Sequence, residues 1–128
     1  MAAGWAGLIF AASAVPRGAG IPLPGAGTDK LVHAGVFAVL GGLVALALRA
    51  EGLRRWRAAG LAAVAGLAYG ALDELHQAFT PGRSMDGEDV VADAAGAALG
   101  ALVGSGRVAE AALRRWPGAN EAQGDHHR

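Results

Sequence analysis

The 128-residue chain contains no cysteine. That excludes disulfides and Cys-based zinc sites. It is also short of charge: charged residues are 17%, against roughly 25% in ordinary soluble domains. Formal net charge is zero, so no basic field argues for a nucleic-acid partner. There is no convincing internal repeat, no Gly-rich phosphate loop and no nucleophile elbow, which removes the sequence signatures of repeat arrays, nucleotide binding and serine hydrolysis. A chain of this length supports one domain.

What the chain has in excess is small apolar residues. There are 32 Ala and 21 Gly, with 53% hydrophobic residues and a mean hydropathy of +0.34. Ala and Gly bury little apolar area, so they build a poor water-soluble core. They suit helices that pack backbone to backbone in lipid. Four charge-poor stretches stand out, at residues 2–15, 31–48, 58–72 and 90–103. The second is 18 residues long with only His33 polar, which meets the usual length of a membrane span. The third extends through a polar end to Phe79. The first and fourth are short, and such lengths also fit buried helices of a soluble bundle.

The chain is therefore read as an all-α bundle of four transmembrane helices, at about 2–21, 31–49, 58–79 and 89–104. These form a membrane domain over 1–116, followed by a disordered cytoplasmic tail over 117–128. Orientation comes from the arginines. Arg49, Arg54, Arg55, Arg57, Arg107, Arg114, Arg115 and Arg128 fall on one side of an alternating four-span topology, and Arg17, Lys30 and Arg83 on the other. The positive-inside rule places both termini in the cytoplasm. Trp5, Trp56 and Trp116 lie near the same inner ends, where aromatic belts belong. Ala12-Ser13-Ala14 resembles a signal-peptidase site, but no Lys or Arg precedes it as a signal peptide requires. Removal of the first span would leave the sidedness of the others unchanged. Residues 107–116 read as a short amphipathic surface helix, and His126-His127 as a solvated tail pair with weak metal affinity.

Two small-residue rows follow a four-residue step: Gly66 and Gly70, then Gly96, Gly100 and Gly104. They predict that the third and fourth spans are close neighbours. Homodimerisation through the same faces is a further option.

The acids gather opposite the arginines. Asp29, Asp73, Glu74, Asp86, Glu88, Asp89 and Asp93 lie at the outer helix ends or in the outer loops. Asp29 and His33 share a helix face, as do Asp73, His76 and Gln77, and Asp89 and Asp93. Asp73 lies about 12 Å inward of Pro81 along its helix. Polar groups at that depth cost roughly 2–3 kcal/mol each if they face lipid. They must face one another or water.

Three readings of the cluster follow. Asp29, Lys30, His33, Gln77, Arg83, Asp89 and Asp93 can bind an anionic group, with the Arg83 fork well shaped for it. Asp73, Glu74 and His76 can act as general acid and base, and Ser84 is the one nearby serine. Asp73, Glu74, His76 and Asp93 can hold a divalent cation, although no spacing here is a specific metal motif. Alternatively the charges only brace the helix ends. No other cofactor is implied. A small polar transporter is disfavoured, because no ionisable group sits in the middle of 31–48.

The segments "DKLVHAGVFAVLG" and "YGALDELHQAFTPGRSMDGEDVVADAAGAALG" resemble the VanZ-like family of bacterial membrane proteins. The likeness covers about 29–104, and D-E-x-H-Q-x-F-x-P-G-R is its specific part. Many relatives carry Asn at the position of Asp93. The resemblance implies a small multi-pass protein of the cell membrane. The family's name comes from a member associated with low-level resistance to teicoplanin, which acts on cell-wall precursors outside the membrane. The resemblance supplies no established reaction. It implies a cell-envelope role, such as binding an anionic or lipid-linked wall component, with an intramembrane hydrolase or transferase and a structural scaffold as alternatives.

Overall fold

A computed structural model describes residues 1–15, 25 and 27–115. Among these the chain is all-α, with α1 (Ala2–Ser13), α2 (Thr28–Ala50), α3 (Arg55–Gln77), α4 (Gly87–Ser105) and α5 (Arg107–Arg115). Helices appear at the four expected stretches, with shifted ends. α2 starts three residues early, so Asp29 and Lys30 lie within its first turn. α3 runs from Arg55 to Gln77 rather than from 58 to 79. α1 stops at Ser13; the remainder of the expected first span, residues 16–21, and the expected tail lie outside the described residues.

Helices α2 and α3 are long and apolar enough to cross a membrane, and α4 with α5 makes a third if the pair is one broken span. The two are bent by 52° at Gly106. At 12 residues, α1 covers about 18 Å at 1.5 Å per residue, less than the ~30 Å hydrocarbon layer. Length alone therefore does not reach four spans.

The packing explains the excess of small residues. α2 and α4 run parallel and in register, with Ala34, Ala38 and Gly42 meeting Gly96, Gly100 and Gly104. A methyl group on Gly96, Gly100 or Gly104 would collide with the backbone carbonyl of its partner. α3 runs antiparallel to both and turns its own small face to α4. Gly66 faces Ala97, and a Cβ at Gly70 would lie 3.0 Å from that of Asp93. α3 and α4 are thus neighbours, as expected, but the glycine row of α4 serves α2. A four-residue step says which helix face is small, not which partner it meets.

α1 packs last, alongside α3 and antiparallel to α2. The Trp5 indole donates to the Val36 carbonyl at 2.9 Å, and the Tyr69 hydroxyl donates to the Ala6 carbonyl. Among the described residues Phe37 is the one large apolar side chain that is fully buried; Glu74 and Asp93 are also fully buried. Meanwhile Leu61, Val64, Leu72, Val91, Leu99 and Val103 are all more than half exposed. A bundle with carboxylates inside and leucines outside suits lipid rather than water.

Candidate functional site

The Pro81-Gly82 turn brings the polar end together. Thr80 accepts a hydrogen bond from the Arg83 N–H at 3.1 Å, and Gly82 sits at φ 75°. Pro followed by a positive-φ Gly is the type II β-turn pairing. The chain then extends to Asp86, which caps α4 by accepting the Glu88 N–H at 2.9 Å. The tight return sets the start of α4 beside the end of α3. The parallel α2–α4 seam sets it beside the start of α2.

Two layers result. The upper one is a salt-bridge fan: the Lys30 ammonium lies 3.1 Å from Asp86, 3.1 Å from Glu88 and 3.0 Å from Asp89. The N-cap bond from Glu88, together with Lys30, holds the Asp86 carboxyl below the usual carboxylate range. The lower layer is buried. His33 Nδ1 lies 2.9 Å from Asp93 Oδ1, and its Nε2 lies 3.9 Å from Asp89 Oδ2. Glu74 Oε2 accepts the Asp86 N–H at 3.0 Å. One ligand atom from each of His33, Glu74 and Asp93 lies within 4.8 Å of the others. Glu74 Oε1 and Asp93 Oδ2 are buried with no hydrogen-bond partner among the described residues.

The residues expected to form the site are thus sorted. Lys30, His33, Glu74, Asp89 and Asp93 converge. Asp73 is buried, takes the Gln77 amide at 3.0 Å through Oδ2 and leaves Oδ1 without a partner among the described residues. His76 does not join Glu74: its ring stacks on Phe10 at 4.4 Å, with Nε2 buried and unpartnered among the described residues. Arg83 donates from Nε to the Val15 carbonyl at 3.1 Å. Asp29 is exposed, and no described hydrogen bond ties it to the cluster. The cation-ligand geometry therefore has His33 where Asp73 and His76 were expected. Neighbouring positions on α3 point 100° apart, so shared depth did not mean a shared face.

Asp86 and Glu88 are the members that sequence reasoning did not assign. Their signal was present: Asp before an apolar helical run is an N-cap, and acids fill the first turn of such helices.

The family model described as VanZ/LLP1 matches residues 4–107. The chain belongs to the VanZ/LLP1 family. That match spans α1 to α4 and takes in the whole polar cluster. Comparison with curated proteins and with solved structures finds no match. Family membership and the apolar helices together make this VanZ-like chain a membrane protein.

Proposed function

We propose that this is a four-span protein of the bacterial cell membrane, with both ends cytoplasmic and the polar cluster at the outer face, where it binds a cell-envelope component. The arginines support the orientation. Arg54, Arg55, Arg57, Arg107, Arg114 and Arg115 are exposed at the end opposite the cluster, as the positive-inside rule requires. The up-down alternation of α1 to α4 fits the same topology.

The observation that carries the binding reading is the set of orphaned atoms. A brace gains most when every buried polar group is paired, because a half-satisfied network is worse than an apolar core. Here Asp73 Oδ1, Glu74 Oε1, His76 Nε2 and Asp93 Oδ2 are buried and unpaired among the described residues. They offer acceptors to a ligand. The rim is acidic, and three carboxylates already hold Lys30. The first group to bind is therefore cationic, and an anionic or lipid-linked wall component docks through a bridging cation rather than through Lys30. A catalytic reading has its His–carboxylate pair in His33 and Asp93, but Ser84 is exposed on the turn.

The test is expression in a glycopeptide-susceptible bacterium with teicoplanin susceptibility as readout. The wild-type chain is expected to lower susceptibility, and Glu74→Gln to abolish that effect while membrane insertion is retained. An unchanged effect in an inserted Glu74→Gln chain would leave the cluster a brace.

A further inference from the structure

We propose that His33, Glu74 and Asp93 together bind one divalent transition-metal ion. The inference rests on the binding reading above and names the cation. Each of α2, α3 and α4 contributes one ligand, so the site exists only in the assembled bundle. Two carboxylates and a neutral imidazole carry a charge of minus two, which a divalent ion cancels. Buried charge left uncancelled is costly, and most so at membrane depth. The ligand atoms lie within 4.8 Å of one another. His33 Nδ1 and Asp93 Oδ1 are already at 2.9 Å, and two atoms each about 2.1 Å from one ion lie about 3.0 Å apart in octahedral and about 3.4 Å apart in tetrahedral geometry. Binding replaces the proton shared by His33 Nδ1 and Asp93 Oδ1, which is released to solvent, and draws the three ligand atoms together from within 4.8 Å.

The unpartnered atoms point the same way. Glu74 and Asp93 are both fully buried, and each keeps one oxygen without a hydrogen bond among the described residues. The supporting shell is in place: the Asp86 N–H orients Glu74 at 3.0 Å, and Asp89 Oδ2 faces the far nitrogen of His33 at 3.9 Å. A carboxylate behind a ligating imidazole fixes its tautomer and raises its basicity. Mixed imidazole and carboxylate donors favour Zn²⁺ or Mn²⁺ over Ca²⁺. The sequence pair His126-His127 is a competing site and has to be removed from the measurement.

The experiment uses the full chain purified in detergent, with the tail substitutions His126→Ala and His127→Ala, loaded separately with ZnCl₂, MnCl₂ or CoCl₂ and freed of loose metal. One ion per chain is expected. His33→Ala and Asp93→Asn are expected to lower retention by about tenfold or more. If either variant fails to insert, the visible absorption of Co²⁺ on the tail-substituted chain decides. A spectrum shifted from that of the hydrated ion, as imidazole ligation requires, supports the site. A spectrum like the hydrated ion's, or no retained metal once the tail histidines are gone, overturns it. Metal is read on purified protein and susceptibility in cells, so the two proposals can fail separately.

Discussion

Helices α2 and α4 meet twice, by opposite means. From Ala34 to Gly42 the contact is backbone against backbone, with Gly96, Gly100 and Gly104 leaving no room for a Cβ. From Lys30 to His33 polar side chains make the contact, with Asp86, Asp89 and Asp93 opposite. The first half gains van der Waals contact because nothing protrudes. The second half has a use for the closeness the first half creates. Widening the α2–α4 separation would lengthen the 2.9 Å contact between His33 and Asp93. The glycine seam is thus what positions the polar centre.

Breaking the seam should have the largest effect. Gly100→Leu is expected to prevent stable assembly altogether, at a cost above the ~1–3 kcal/mol of ordinary overpacking, because even a methyl group there meets the Ala38 backbone. Gly60→Ala is the matched control. Nothing lies within 4 Å of a Cβ at that position, so it should be neutral or stabilise α3 by up to about 1 kcal/mol. Thermal unfolding in detergent measures both.

Breaking the polar half should cost less. A double-mutant cycle of His33→Ala and Asp93→Ala is expected to give a coupling of about 1–2 kcal/mol. A coupling near zero would mean that the two side chains do not interact in the membrane.

The smallest effect is expected from pH at the exposed rim. The Asp86 carboxyl is held below its ordinary value of 3.8. A carboxylate depressed in the folded state adds stability above its unfolded pKa and loses it as pH falls through the folded one. The unfolding midpoint should therefore drop on acidification below about pH 4, and Asp86→Asn should flatten that part of the profile. A midpoint equally sensitive in the variant would assign the acid response elsewhere.

Much of this arrangement was legible in the chain. Hydropathy located the helices, and acids set opposite arginines located the polar end. Depth along a helix could be counted, which is why Glu74 and Asp93 were expected at one level. Azimuth could not be counted, because it depends on which neighbour each face meets. That is why His76, on the face of Asp73, was grouped with Glu74 as a candidate cation ligand, while His33 from α2 is the imidazole that lies near Glu74. The same limit hid the partner of the glycine row. Its complement, Ala34, Ala38 and Gly42, repeats the four-residue step in α2 and was the available clue. α1 was the least legible: its tie to the bundle through Trp5, Tyr69 and Phe10 rests on single contacts that periodicity does not encode.

The most direct test is sidedness, since a centre that binds envelope components must face them. The chain has no cysteine, so single cysteines report without background. Ser84 sits exposed on the α3–α4 turn and Glu51 exposed on the α2–α3 turn. With a membrane-impermeant maleimide, Ser84→Cys should react in intact cells and Glu51→Cys only after permeabilisation. Reaction of both from the same side, or of Ser84→Cys only after permeabilisation, would contradict an outward-facing polar centre.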